Sequence, residues 1–181
     1  MKKLLVIAAA AVTTLFTGCT PNAEQINKTA SAIGVAAGLV ANQTKIDPAA
    51  RNTAIDIIGE VRTYIPSGDQ TFVASWTPVI DVKIADLVKA GKITAATGAL
   101  VKPAAVMVAQ AIDYTFDRYP KAKKSEELVR AGATGVIDGF LTVFKPANCN
   151  EKDGCSDCTV RAAAKASYDK KAYEYFQKKF K

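Results

Sequence analysis

Four cysteines are the residues whose type and spacing point most directly to chemistry. Three of them, Cys149, Cys155 and Cys158, follow a C-x5-C-x2-C pattern in a polar stretch. Thiols at this spacing could form a disulfide staple, a Cys155–Cys158 redox pair at a helix N-terminus, or a three-cysteine zinc site completed by Asp or Glu. The chain has no His, which excludes His-based triads and removes the commonest metal ligand.

Carboxylates are the second group that could take part in a reaction. Asp113 and Asp117 lie close to Arg118 on one predicted helix, and Glu126 and Glu127 open the next helix. Paired carboxylates can act as general acid and base, but carboxylates at these spacings are usually a solvated helix face. No nucleophile elbow, phosphate-binding loop or metal-ligand set accompanies them. We therefore predict that the protein is not an enzyme and uses neither a cofactor nor a metal.

The C-terminal stretch is basic and rich in aromatic residues. Tyr168, Phe176 and Phe180 recur at multiples of four residues, which predicts one helix from about Asp157 almost to the C-terminus. Docking of its aromatic face on the bundle is favoured, and the alternative is a helix that lies on an anionic membrane surface. The lysines of the other face are candidates for contact with a membrane or a partner: Lys170, Lys171, Lys178, Lys179 and Lys181.

The N-terminal segment has the layout of a secretory signal. Lys2 and Lys3 precede an apolar run from Leu4 to Phe16, which is too short to cross a bilayer as a helix. The stretch Leu15-Phe16-Thr17-Gly18-Cys19 that follows resembles the lipobox of bacterial lipoproteins. This resemblance implies that the signal is cut before Cys19 and that the Cys19 thiol and the new amino terminus are acylated.

The same resemblance implies a location and a division of the chain. Thr20 stands where an Asp would favour the inner membrane of a Gram-negative host, so the outer membrane, with the protein on its periplasmic face, is expected. Residues 1–18 are then the signal peptide, 19–23 a lipidated tether and 24–181 a helical domain. Lys181, the last residue, is similar in kind to the C-terminal Lys through which murein lipoprotein joins peptidoglycan.

If Cys19 carries lipid, three thiols remain in an oxidising compartment. Three thiols allow one disulfide and leave one Cys over. A bond from Cys149 to either Cys155 or Cys158 is favoured, because either would pin the loop to the start of the last helix. A nucleic-acid partner is not expected for an exported chain. Its charge is also mild, since loss of Lys2 and Lys3 with the signal lowers the formal value from +7 to +5.

The elements that must position these residues are predicted to be helices. The chain has 181 residues, of which 49% are hydrophobic, which suits one domain with a real core. Cap signals predict helix starts at Asp47-Pro48, Thr77-Pro78, Thr94 and Ser125, and Pro103 should kink or split the apolar stretch that Thr94 opens. A segment from Thr71 to Trp76 could briefly be extended. The prediction is an all-α protein, a single compact bundle of about six helices with short loops.

Two functions are compatible with this pattern. The first is a membrane-anchored envelope lipoprotein whose helical domain binds a protein or envelope partner, peptidoglycan included. The alternative is a small membrane-active envelope protein of the exclusion or lysis accessory type. It would act through its cationic tail and through the helix that carries Ala30, Gly34 and Gly38 at four-residue spacing. The oligomeric state stays open.

Overall fold

The computed structural model describes residues 21–44, 46–67, 69–145 and 162–180. The helices that both begin and end within these ranges are α1 Ala23–Ala41, α2 Pro48–Val61, α3 Phe72–Lys89, α4 Ala95–Arg118, α5 Glu126–Phe144 and α6 Lys170–Lys179, with a 3₁₀ helix at Pro120–Lys124. The described residues contain no strand. The predicted fold class, an all-α bundle of about six helices, is confirmed.

Each of these α-helices begins after a residue whose side chain accepts a hydrogen bond from a backbone N–H in the first turn. The capping residues are Asn22, Asp47, Thr71, Thr94, Ser125 and Asp169. Such a bond satisfies one of the donors that the first turn leaves unpaired, and each contributes about 1 kcal/mol. The starts predicted at Asp47, Thr94 and Ser125 are confirmed.

The helix start predicted at Thr77-Pro78 and the split predicted at Pro103 were wrong. α3 begins at Phe72, after Thr71, so Thr77-Pro78 lies inside the helix, and residues 72–76, which could have been extended, are helical. Pro103 likewise lies inside α4, which continues as one helix. Both prolines are exposed, so the carbonyl groups that each leaves without an N–H partner lie on the outer side of the helix.

The C-terminal helix is also shorter than predicted. Residues 162–166 are helical, but the chain bends at Ser167 and α6 begins only at Lys170. Asp169 is the reason for the new start, because its side chain caps α6 through the N–H of Ala172 at 2.9 Å. Its own N–H donates to the carbonyl of Ala32 on α1 at 3.2 Å, which holds the bend against the bundle.

α1 and α5 run parallel and form the most extensive helix pair among the described elements. Small residues let their backbones touch. A methyl group on Gly34 would overlap the carbonyl of Val136, and one on Gly139 would overlap the carbonyl of Ser31. The small-residue face of α1 is therefore a packing surface inside the bundle.

Two asparagines join the same pair of helices near its two ends. The side-chain amide of Asn27 donates to the carbonyl of Ala131 at 3.1 Å, and that of Asn42 donates to the carbonyl of Val143 at 2.6 Å. These contacts fix the register, because α1 residue 27 lies beside the start of α5 and residue 42 beside its end. The first turns of α1 and α5 are thus at the same end of the bundle.

The other helices surround this pair. α4 packs on four helices, which are α1, α2, α3 and α5. α3 also packs on α2, and α6 packs on α1. The largest fully buried side chains are Trp76, Phe116, Phe140, Phe144 and Phe176. Because α4 runs antiparallel to α5, the 3₁₀ helix that joins them lies at the end of the bundle where α1 begins.

Candidate partner-binding surface

α6 is amphipathic, and its apolar side is fixed to the bundle. Ala172 and Phe176 are fully buried, while Tyr168, Tyr173 and Phe180 are partly buried and pack on the core. This confirms that the aromatic side of the tail docks on the protein. The Tyr173 hydroxyl also accepts hydrogen bonds from the side-chain amides of Gln43 at 2.7 Å and Gln177 at 2.9 Å.

Asp169 connects α6 to a second helix. Its carboxylate pairs with Arg118 of α4, and the guanidinium of Arg118 lies 5.9 Å from the ring centre of Tyr114. Burial alone would raise the pKa of Asp169. The hydrogen bonds from the Ala172 N–H and from Arg118 outweigh that effect, so the pKa lies below its ordinary value. The start of α6 is therefore held by charge at Asp169 as well as by the cap that this residue provides.

Aromatic stacking holds the middle of α6. The ring of Tyr114 on α4 stacks on Tyr175 with 4.7 Å between ring centres, and it lies 5.9 Å from Phe176. Tyr175 remains 38% exposed, so its outer edge belongs to the surface.

The outer side of α6 carries the four predicted lysines that the structure describes. Lys170, Lys171, Lys178 and Lys179 are all exposed, and Glu174 is the acidic residue among them. The ammonium group of Lys179 lies 3.1 Å from the Tyr175 hydroxyl and 5.4 Å from the centre of its ring. The structure thus leaves these four lysines exposed on α6, spread over the half of its circumference that does not pack on the bundle. The four lysines, Glu174 and Tyr175 form the exposed side of α6. We call this surface the α6 face.

A second lysine cluster, which we did not single out from the sequence, lies on the 3₁₀ helix. Lys121 and Lys124 are exposed and Lys123 is half-buried. Their charge is offset locally, because Asp117 and Glu127 are exposed on the adjoining ends of α4 and α5. The run Pro120-Lys-Ala-Lys-Lys was visible in the sequence, but its position at the end of the bundle where α1 begins depends on the packing of α4 and α5.

A groove of about 1000 Å³ between α2, α3 and the end of α5 was also missed. Apolar side chains such as Leu87 and Leu141 line it. Charged residues of both signs stand at its rim, where Lys83 pairs with Glu60 at 2.6 Å. None of its lining residues comes from α1, α4 or α6. No sequence motif marks such a groove, since its walls come from three separate helices.

The carboxylates considered for acid–base chemistry have structural partners or lie on the surface. Asp113 accepts hydrogen bonds from the N–H groups of Phe72 at 2.8 Å and Val73 at 3.0 Å, and so joins α4 to the start of α3. Its burial raises its pKa, although these two hydrogen bonds oppose the rise.

The remaining carboxylates of that set do not converge. Glu126 pairs with Arg130 at 2.7 Å on the surface of α5. Asp117 and Glu127 are exposed. No group of three or more Cys, Asp or Glu side chains in the described ranges could hold a metal ion. The arrangement of these carboxylates supports helix packing and surface charge.

By length and apolar composition alone, one described helix, α4, could cross a membrane. Half of its most apolar window is buried inside the bundle, and its sides contact four other helices. Among the predicted site residues, Cys19, Cys149, Cys155, Cys158 and Lys181 lie outside the described residues. Comparisons with family models, with curated proteins and with solved structures found no match to this chain.

Proposed function

We propose that this protein is a bacterial envelope lipoprotein that holds a helical binding domain at a membrane. In this proposal the mature chain begins at an acylated Cys19, faces the periplasm from the outer membrane of a Gram-negative host, and has no catalytic role. The domain binds an anionic partner in the envelope through the α6 face. The observation that carries the proposal is the two-sided use of α6, whose aromatic side packs on the bundle while its lysines point outward.

The arrangement of α6 supports binding by charge. Lysines that are held in ion pairs offer little positive charge to a partner. Among the described side chains Lys170, Lys171 and Lys178 form no ion pair, and Lys179 contacts a tyrosine. Cationic groups on a rigid face bind an anionic surface without an ordering cost for the backbone. The α6 face is such a surface.

The anchor is tested by metabolic labelling with palmitate. We expect the wild-type protein to take up label and to fractionate with membranes, and Cys19→Ala to take up no label, because the thiol that receives the lipid is gone. Cys149→Ala is the matched control, since it also removes one thiol but should keep the label. Equal labelling of wild type and Cys19→Ala would rule out the anchor.

The membrane-active alternative makes a different demand on the fold. The small-residue face of α1 packs on α5, and the apolar side of α6 packs on α1. Both faces would have to leave the bundle before they could enter a bilayer. Leakage of dye from vesicles on addition of the Cys19→Ala protein would favour this alternative, whereas intact vesicles favour the binding role.

A further inference from the structure

We infer that the α6 face lies on the anionic phospholipid headgroups of the same membrane that holds the Cys19 acyl chains. In this orientation the side of the bundle that α1 and α6 form faces the membrane. This inference rests on the proposed lipid anchor and names the partner of the α6 face. The contact is electrostatic and peripheral, because the apolar side of α6 is already buried against α1.

The length of the tether fits this orientation. Cys19 precedes Ala23, the first residue of α1, by four residues, which span at most about 14 Å when extended. Packed helices have axes about 8–10 Å apart, and a helix with side chains has a radius of about 5 Å. With α6 on the headgroups, the axis of α1 is therefore about 13–15 Å above them, a height that the tether reaches when it is nearly extended.

α6 lies along α1, the helix that follows the proposed anchor in the chain. The N–H of Asp169 bonds to the carbonyl of Ala32, and Tyr173 bonds to Gln43 at the end of α1. α6 therefore follows the second half of α1, with Lys170 and Lys171 nearer the middle of α1 and Lys178 and Lys179 nearer its end. Lys171 and Lys178 lie near the middle of the α6 face, and the long side chains of Lys170 and Lys179 lie at its two edges.

The charge distribution favours this side over the end of the bundle. Four exposed lysines stand against Glu174 on α6, whereas the lysines of the 3₁₀ helix share their end with Asp117 and Glu127. Each lysine held near an anionic bilayer favours binding about fivefold. Two such contacts already give about twenty-five-fold. The end of the bundle, with its charges nearly balanced, has no comparable attraction.

The test is a lysine footprint of the mature lipidated protein in vesicles. Proteoliposomes are made either with phosphatidylglycerol in phosphatidylcholine or with phosphatidylcholine alone. They are treated with an amine-reactive acetylating reagent, and each lysine is quantified by mass spectrometry. We expect Lys170, Lys171, Lys178 and Lys179 to react at least threefold more slowly in the anionic vesicles, and 0.5 M salt to remove the difference.

Other lysines of the protein serve as internal controls and define the results that would contradict the inference. Lys92 lines the groove between α2, α3 and α5, so its reactivity should be the same in both vesicles. Slower reaction of Lys121 and Lys124 in place of the α6 lysines would show that the bundle stands on its end and would overturn the inference. Equal reactivity of the α6 lysines in both vesicles would overturn it as well. Flotation with the phosphatidylcholine vesicles reports the lipid anchor separately, so failure of the proposed function is seen as protein left at the bottom of that gradient.

A pair of charge-matched variants tests the same surface without the anchor. In a Cys19→Ala background, one variant changes Lys170, Lys171, Lys178 and Lys179 to Gln, and the control changes Lys83, Lys92, Lys121 and Lys124 to Gln. Both lose four positive charges, and glutamine keeps a similar helix propensity. We expect the first variant to bind anionic vesicles at least tenfold more weakly than the parent and the control less than threefold. Equal losses would mean that net charge alone drives binding, which would overturn the inference.

Discussion

Replacement of glycine by alanine should have opposite effects at two kinds of position in the helices. Gly34 and Gly139 lie where the backbones of α1 and α5 touch, and a methyl group on either would overlap a carbonyl of the facing helix. Backbone atoms cannot rotate away, so the helices must separate. Overpacking of this kind costs about 3 kcal/mol, and the better helix propensity of alanine returns about 1 kcal/mol. Gly34→Ala and Gly139→Ala should each lower the free energy of unfolding by about 2 kcal/mol.

Gly59 in α2 is the matched control, because nothing lies within 4 Å of a methyl group added there. Gly59→Ala should therefore raise the free energy of unfolding by about 1 kcal/mol, through helix propensity and a less flexible unfolded chain. The variants then differ by about 3 kcal/mol, which corresponds to roughly 6–12 °C in Tm for a domain of this size.

Urea unfolding of the Cys19→Ala protein, followed by circular dichroism and by the fluorescence of Trp76, measures these values. Trp76 is the single tryptophan and is fully buried, so its emission reports the loss of the core. If Gly34→Ala and Gly139→Ala proved as stable as Gly59→Ala, α1 and α5 would not be in backbone contact. The interpretation of the small-residue face as a packing surface would then be refuted.

Two further substitutions test single contacts. Asp169→Asn should lower the free energy of unfolding by about 1 kcal/mol at pH 7, because it breaks the partly exposed pair with Arg118 but keeps an oxygen for the cap. Because the pKa of Asp169 is lowered in the folded protein, its stabilising effect is complete above about pH 4 and is lost as the pH falls through the folded value. The stability lost by Asp169→Asn should therefore be smaller at pH 3 than at pH 7. An equal loss at both pH values in urea unfolding would contradict this account. Trp76→Phe removes the 2.7 Å hydrogen bond from the indole N–H to the carbonyl of Tyr64 and should lower the free energy of unfolding by about 1–2 kcal/mol. Urea unfolding followed by circular dichroism measures this loss. An unchanged unfolding midpoint would show that the bond does not stabilise the fold.

The surface of α6 shows how far the sequence pattern reached. The four-residue repeat of aromatic residues predicted that the tail docks, and the lysines between them were predicted to be exposed; the structure places both as expected. The bend at Ser167 was missed. The repeat continues through it, and the contact that favours the bend, from the N–H of Asp169 to Ala32, joins residues far apart in the chain.

The helix starts were likewise predicted in part and missed in part. Asp47 and Ser125 were recognised because a cap is a bond between residues three apart and needs no other part of the chain. Thr77-Pro78 has the same local signature, yet α3 starts at Phe72. There, Thr71 caps the helix and the carboxylate of Asp113 from α4 accepts the N–H groups of its first turn. A local rule cannot choose between two candidate caps when the deciding donor–acceptor pair is remote.

By itself, the sequence determined that the chain forms helices, where most of them begin, and which sides of them are apolar. These properties depend on bonds and spacings within about one or two turns. The tertiary structure alone decided that the glycine side of α1 meets α5, that α6 lies along α1 with its lysines outward, and that three helices enclose a groove. Such pairings depend on how well whole surfaces fit together, and residues more than a hundred positions apart, such as Asn27 and Ala131, have to meet before that fit exists.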